Sequence, residues 1–268
     1  MIYAEPIQPP KEDLQNSLSW MSFNPGDLNQ DLVTLPLEGG LIAAINAFYT
    51  PKAIAIWPFN NETDNLEPRN TTYTATKLAP YALGAVTFVL GGLTLSNDNF
   101  QLGTHARGWL HAILLTEIAT STAKVTFQRK RPFYDYPNAD GPNSYDNRFS
   151  FFSGHTSHAF SFATYSTALM FEYSNSRILN WSYAALSYAG ATVIANSRVT
   201  DHAHNVSDVI VGGIVGTLIS AAVFYRVENV IQKKKELSAK KYEFQAIPYA
   251  FNDDTNKTWY GANFEIKF

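Results

Sequence analysis

The chain has 268 residues, 46% hydrophobic and only 16% charged, with a net charge of −3. That composition builds a large apolar core and excludes a disordered chain, and the slight acidity argues against a general nucleic-acid binder. No cysteine is present, which excludes disulfides, thiol catalysis and cysteine-based zinc sites.

In chain order, residues 1–35 read as an irregular polar lead-in. Its start, MIYAEPIQPPKEDLQ, carries no apolar signal core. Leu37–Tyr49 suggests a short helix stopped by Pro51, and Pro58–Thr72 a loop. From about Ala75 the apolar periodicity predicts helices over 75–96, 104–130, 155–174, 178–197 and 204–235. The two most apolar runs, Ala79–Leu95 and Val209–Tyr225, are 17 residues each. They sit at the lower edge of what can cross a bilayer, and the reading favours buried core helices over membrane spans. Pro132–Ser150, rich in Pro, Asn, Asp and Gly, is long for a connection and marks a functional loop. KKKELSAKK reads as the solvated end of the last helix, where lysines complement the helix dipole. Tyr242–Phe251 and Thr258–Phe268 alternate apolar and polar residues around NDDTNK, the pattern of a β-hairpin. The expectation is one all-α domain. Residues 1–74 form an irregular, short-helix N-terminal region, 75–241 a helical core, and 242–268 a β-hairpin tail.

Three clusters carry chemistry. In KVTFQRKRP, Lys124 and Arg131 are seven apart, two helical turns, so they project from one face. Pro132 then places Arg131 at the helix end. Alone, this is a basic helix terminus. In FFSGHTSH, Ser153 and Gly154 open a helix whose free N–H groups suit an anion, and His155 sits in the first turn. His158 is a packing or supporting residue. In SRVTDHAHNVSD, Arg198 follows a helix, and His204 and Asp208 are four apart on the next. A carboxylate against one imidazole nitrogen fixes the tautomer and leaves the other nitrogen for chemistry. Asp201 and His202 read as turn residues. Three cations, a helix N-terminus and two histidines form what phosphoryl transfer through a covalent histidine needs. The transition state spreads charge over three oxygens, one neutral imidazole attacks in line, and a protonated one serves the leaving group.

These motifs resemble those of the type 2 phosphatidic acid phosphatase superfamily, with the pattern KxxxxxxRP, then PSGH, then SRxxxxxHxxxD. They stand here as Lys124 to Pro132, Ser153-Gly154-His155, and Ser197-Arg198 with His204 and Asp208. One departure is Phe152 in the place of the usual Pro, which implies a shifted loop and not a dead site. The resemblance implies a helical bundle with the active site at one end. It makes His204 the nucleophile, Asp208 its orienting carboxylate and His155 the general acid that later activates water. Lys124, Arg131, Ser153, Gly154 and Arg198 would bind phosphate oxygens, with no metal and no cofactor. Expected substrates are a phosphorylated lipid or a small soluble phosphomonoester. Expected surroundings are the periplasm or envelope of a bacterium, after removal of a signal peptide, with peripheral membrane contact in preference to integral insertion. No nucleic-acid partner is expected, and the oligomeric state is not fixed by sequence.

Three other readings remain at this point. Related haloperoxidases hold vanadate in the same site, although Ala203 stands where those enzymes usually carry a bulky aromatic. A metal could be drawn among His155, His158, His202, His204 and Asp208, at the cost of three cations beside it. The chain could also be a silent phosphate or lipid-headgroup binder.

Overall fold

A computed structural model describes residues 23–47, 57–59, 65–69, 72–137, 145–240, 243–252 and 256–267. Among them six α-helices follow one another: α1 (Leu28–Ala47), α2 (Thr72–Ser96), α3 (Leu102–Phe127), α4 (Gly154–Tyr173), α5 (Arg177–Thr200) and α6 (Val206–Lys240). A 3-10 turn covers Tyr145–Arg148. The chain closes with an antiparallel hairpin of β1 (Glu243–Asn252) and β2 (Thr258–Lys267), with Glu243 opposite Lys267 and Asn252 opposite Thr258. The expected all-α bundle with a C-terminal hairpin is therefore the fold.

Local chemistry sets several helix ends. Ser153 and Ser176 cap α4 and α5, their hydroxyls accepting from the N–H of Thr156 and Leu179. Gln128 ends α3 in the left-handed region, φ 48°, with its N–H on the Lys124 carbonyl. That stop comes before Arg131, so the expected helix over 104–130 is too long. Lys124 and Arg131 are not two turns apart on one face. Arg131 lies in the irregular stretch beyond the helix. The start of α6 is also corrected. The Asp208 carboxylate reaches back to the N–H of Asn205 at 2.9 Å, as in a capping box, so the helix opens at Val206 and His204 precedes it.

The largest correction concerns α1. It begins at Leu28, inside the expected irregular lead-in, and continues through Pro36 into the stretch expected as a short helix from Leu37, and it packs on α3. Tertiary bonds override the local signal here. Asp31, buried, accepts from Arg107 Nε at 2.7 Å and from the Gly26 N–H at 3.0 Å. Buried His111 lies between Asp31 (2.9 Å) and Glu38 (2.8 Å).

α4 is the central helix, packed most closely against α6 and α5 and also against α2 and α3. A Cβ at Gly216 would fall 2.0 Å from the Ser157 carbonyl oxygen, and one at Gly212 would fall 2.8 Å from that of Ser153. Only glycine allows α6 this close to the first turn of α4. The apolar core, including Val89, Leu93, Leu169, Val227 and Ile231, fills the bundle away from that end.

The two most apolar helices are buried along one face only, where the sequence reading favoured buried core helices. The stretches Lys77–Ser96 and Val206–Ser238 are long and apolar enough to cross a membrane, yet only 24% and 33% of them is buried. Phe88 is 79% exposed and Leu95 92%, and Leu186, Ile210, Ile214 and Leu218 also face outward. α2 lies at the margin against α4 and α5, so its outer side meets no protein contact among the described residues.

Candidate active site

Chain direction brings four helix ends together: the ends of α3 and α5 and the starts of α4 and α6. His204 sits in the short turn between α5 and α6. Its backbone N–H and that of Ala203 both bond the Arg198 carbonyl at 3.1 Å, which folds the turn back over the end of α5. The ring is almost fully buried. Its Nδ1 stands 2.7 Å from the carbonyl oxygen of Ser150. A carbonyl only accepts, so Nδ1 carries the proton and Nε2 keeps its lone pair. Nε2 faces the Arg131 guanidinium, 3.4 Å away.

Asp208 stands beside His204 but does not hold it as the i, i+4 spacing suggested. Its nearest oxygen is 3.7 Å from Nδ1, beyond a hydrogen bond. The carboxylate instead accepts from Arg129, from the Ser150 hydroxyl at 2.5 Å and from the Asn205 N–H. The neutral tautomer is thus set by a peptide carbonyl, with a carboxylate nearby. Burial, with Arg131 and Arg198 adding to it, outweighs Asp208 and lowers the His204 pKa to about 4. The ring is neutral at pH 7.

His155 occupies the first turn of α4 on the wall of a cavity of about 290 Å³, shared with Lys124, Gly154, Glu117 and His158. Its edge is open to solvent. Burial against the cavity wall and the charges of Arg198, Lys124 and Arg131 lower its pKa to about 4, although water at the open edge screens part of that pull. The approach of Arg131 to His204, the Ser153–Asp208 bond and the nearness of Lys124 to Gly154 bring the three separated motifs together, and Arg131 and Arg198 act electrostatically on both imidazoles. Arg131 is fixed by a 2.8 Å bond to the Ala203 carbonyl, and Arg198 lies 3.6 Å from Asp201. Lys124 Nζ is 3.7 Å from where a Cβ on Gly154 would sit. Ser153 is buried, its N–H spent on the Asp208 carbonyl (3.1 Å) and its hydroxyl accepting from Thr156. The N–H bond joins α4 to α6.

Asp201 and His202 are turn residues as expected, but Asp201 has a charged partner in Arg198. His202 bonds the Glu67 carbonyl at 2.6 Å, and Arg69 bonds the Asp201 carbonyl, tying the 65–69 segment to the site. His158 turns to the Gly154 carbonyl and to Glu117, a supporting role as expected. Among the described residues no three His, Asp or Glu side chains converge as metal ligands, so the histidine–carboxylate metal site drawn from sequence is not assembled. Of the long loop, residues 138–144 lie outside the described residues. Tyr134 is buried, bonded by Arg148 and approached by Lys130 at 4.7 Å from its ring.

Sequence reasoning missed Arg129, Ser150 and Asn205. Arg129 lay in view within the basic run KVTFQRKRP, but only the fold distinguishes it from its neighbours. Ser150 acts through its carbonyl, which no side-chain signal reports.

Residues 107–232, which contain the two histidines, Asp208 and the cations around them, match the family model of the PAP2 superfamily. The chain is also similar to a PA-phosphatase related-family protein of Dictyostelium discoideum, 29% identical over 163 residues. That similarity covers 58% of this chain and 60% of the relative's own length. No solved structure matches the chain.

Proposed function

We propose that this protein is a metal-independent lipid phosphate phosphatase working through a phosphohistidine on His204. The observation that carries the reading is the tautomer of His204: Nδ1 is committed to a carbonyl, and the Nε2 lone pair points at a guanidinium where a phosphate would bind. Arg131, Arg198, Lys124 and the N-terminus of α4 supply the positive charge that phosphoryl transfer requires, with Ser153 and Gly154 opening that helix. Nε2 attacks phosphorus, the bond from phosphorus to the ester oxygen breaks, and that oxygen takes its proton from His155. Water then attacks the phosphohistidine and gives a proton to His155, and the P–N bond breaks to release phosphate and neutral His204.

The free His155 ring is neutral at pH 7, so its proton must come with substrate. Burial and the charges of Arg198, Lys124 and Arg131 depress its pKa; a phosphate anion among those cations cancels the charge contribution, which couples binding to general-acid competence.

A lipid is favoured over a soluble ester by the shape of the cleft. An apolar groove of about 210 Å³ between α2, α4 and α5 shares Ala82, Ala159, Phe162 and Ile194 with the cavity that holds His155 and Lys124. A phosphate in the polar end leaves its acyl chain in the apolar one. We further place α2 and α6 across a bilayer, because their outward faces are apolar. Lys233, Lys234 and Lys235 lie at the end of α6 away from the site. By the positive-inside rule that end is cytoplasmic, so the site opens to the periplasm in a bacterial cell.

Phosphate release from phosphatidate and from p-nitrophenyl phosphate, in detergent and without it, tests the reading. Turnover that survives EDTA, is blocked by vanadate, prefers the lipid and disappears in His204→Ala supports it. Turnover that needs a divalent metal, or that persists in His204→Ala, refutes it.

A further inference from the structure

The arrangement behind His204 is a closed ring of three buried residues. The Arg129 guanidinium bonds one oxygen of Asp208, and the Ser150 hydroxyl bonds the other at 2.5 Å. The Ser150 N–H returns to the Arg129 carbonyl at 3.0 Å. Arg129, Ser150 and Asp208 are 5%, 0% and 0% exposed. One arm leaves this ring towards the reacting atoms, the Ser150 carbonyl on His204 Nδ1. Nothing else described bonds that nitrogen within hydrogen-bond distance.

Resting on the phosphohistidine reading, we propose that Arg129 is a positioning residue for His204, acting through Asp208 and Ser150. It touches no substrate. Its guanidinium also donates to the Ser207 hydroxyl at 2.7 Å and lies over the Phe59 ring at 4.3 Å. One guanidinium nitrogen, Nη1, thus holds the first turn of α6 through both Ser207 and Asp208, while the flat face of the group lies on an aromatic ring that itself meets Phe127 and Phe151. This fixes the Asp208 carboxylate in place, and the carboxylate fixes the plane of Ser150. The Ser150 carbonyl direction then sets both the tautomer of His204 and the line along which Nε2 meets phosphorus. Asp208, 3.7 Å from His204 Nδ1, accepts from Arg129 and Ser150 and is a nearby negative charge for the phosphoimidazolium.

Arg129 is distinct from the three phosphate-facing cations. Arg131 and Arg198 act on both histidine rings, whereas Arg129 is spent on the carboxylate behind His204.

The test compares wild type, Arg129→Ala, Arg129→Lys and Ser150→Ala on p-nitrophenyl phosphate, with vanadate as competitive inhibitor. A displaced nucleophile costs turnover and not anion affinity. Arg129→Ala should lose about 100-fold in kcat, the scale of an ångström-sized misalignment, with KM and vanadate affinity nearly unchanged. Vanadate should raise the melting temperature of Arg129→Ala as much as that of wild type, and added guanidinium should restore part of its turnover. Arg129→Lys should recover part of the turnover, since an ammonium can donate to Ser207 and Asp208 but has no planar face to rest on the Phe59 ring. Ser150→Ala, which keeps the carbonyl but frees it from Asp208, should show the same kcat-only loss in smaller measure, and it tests the ring should both Arg129 variants fail to fold. Unchanged kcat in Arg129→Ala, or an equal loss of vanadate affinity and turnover, overturns the proposal alone. A wild type that releases no phosphate overturns the phosphatase reading and the role of Arg129 with it.

Discussion

At the scale of residues, the site runs on two histidines held neutral by different means. His204 is buried and its Nδ1–H is pinned by Ser150, whereas His155 is at an open wall and is held down by partial burial first and by the charges of Arg198, Lys124 and Arg131 after it. Both have folded pKa values of about 4 against an ordinary 6.5. Between those values the unfolded chain binds protons that the folded chain refuses. The stabilisation is complete above pH 6.5 and is lost as pH falls through 4. Melting temperatures should therefore drop between pH 7 and about pH 4.5, and His204→Asn should flatten that drop more than His155→Asn, because His155 is partly screened. A melting temperature that holds constant across the range would count against the buried neutral ring. Asp208→Asn leaves the Ser150 carbonyl in reach of Nδ1 but loses the Arg129 ion pair. Turnover should fall much further than vanadate affinity, as measured by separate kcat and inhibition constants.

At the scale of elements, the site depends on how closely α6 approaches α4. Gly212 and Gly216 stand over Ser153 and Ser157 with no room for a Cβ, and Ser153 bonds the Asp208 carbonyl across the same contact. Gly216→Val should drive the helices apart and misplace the histidine-bearing ends, costing at least tenfold in turnover and lowering the melting temperature. Wild-type values for both would mean that the contact does not position the site. The reacting residues were legible in the sequence because phosphate chemistry needs particular side chains in a particular order, and Lys124, Arg131, Ser153 to His155, Arg198, His204 and Asp208 retain that order. Their local geometry was less legible. The left-handed Gln128 carries no glycine to announce it, and the backreach of Asp208 to Asn205 looks in sequence like a pair on one helix. Only the second half of α1 was legible, from Leu37 on; its first half was hidden because Pro36 argues against a helix that Asp31, Glu38, Arg107 and His111 secure from outside.

At the scale of the whole molecule, apolar composition has two meanings that sequence does not separate. A helix buried on every side and one facing lipid carry the same residues, and only the packing tells which faces are covered. Here Phe88, Leu95, Leu186, Ile210 and Leu218 are uncovered, and the bundle carries its polar site at one end. The account expects the protein to need detergent or lipid for a monodisperse preparation and to fractionate with membranes against alkaline carbonate. Release into the soluble fraction would contradict the placing of α2 and α6 in a bilayer. The groove between α2, α4 and α5 gives a second expectation: Ala163→Phe should weaken turnover of phosphatidate while leaving p-nitrophenyl phosphate nearly unaffected, since Ala163 lines the apolar groove and not the cavity of His155. Equal loss on both substrates would remove the groove from the account.

The most direct measurement is to quench the enzyme in alkali during turnover, where a phosphohistidine survives, and to locate the phosphoryl group by peptide mass spectrometry. The account requires it on His204, absent from His204→Ala and lengthened in lifetime when His155 is replaced by Ala. A phosphoryl group on another residue, or turnover with none on His204 under conditions that trap such an intermediate, would contradict it.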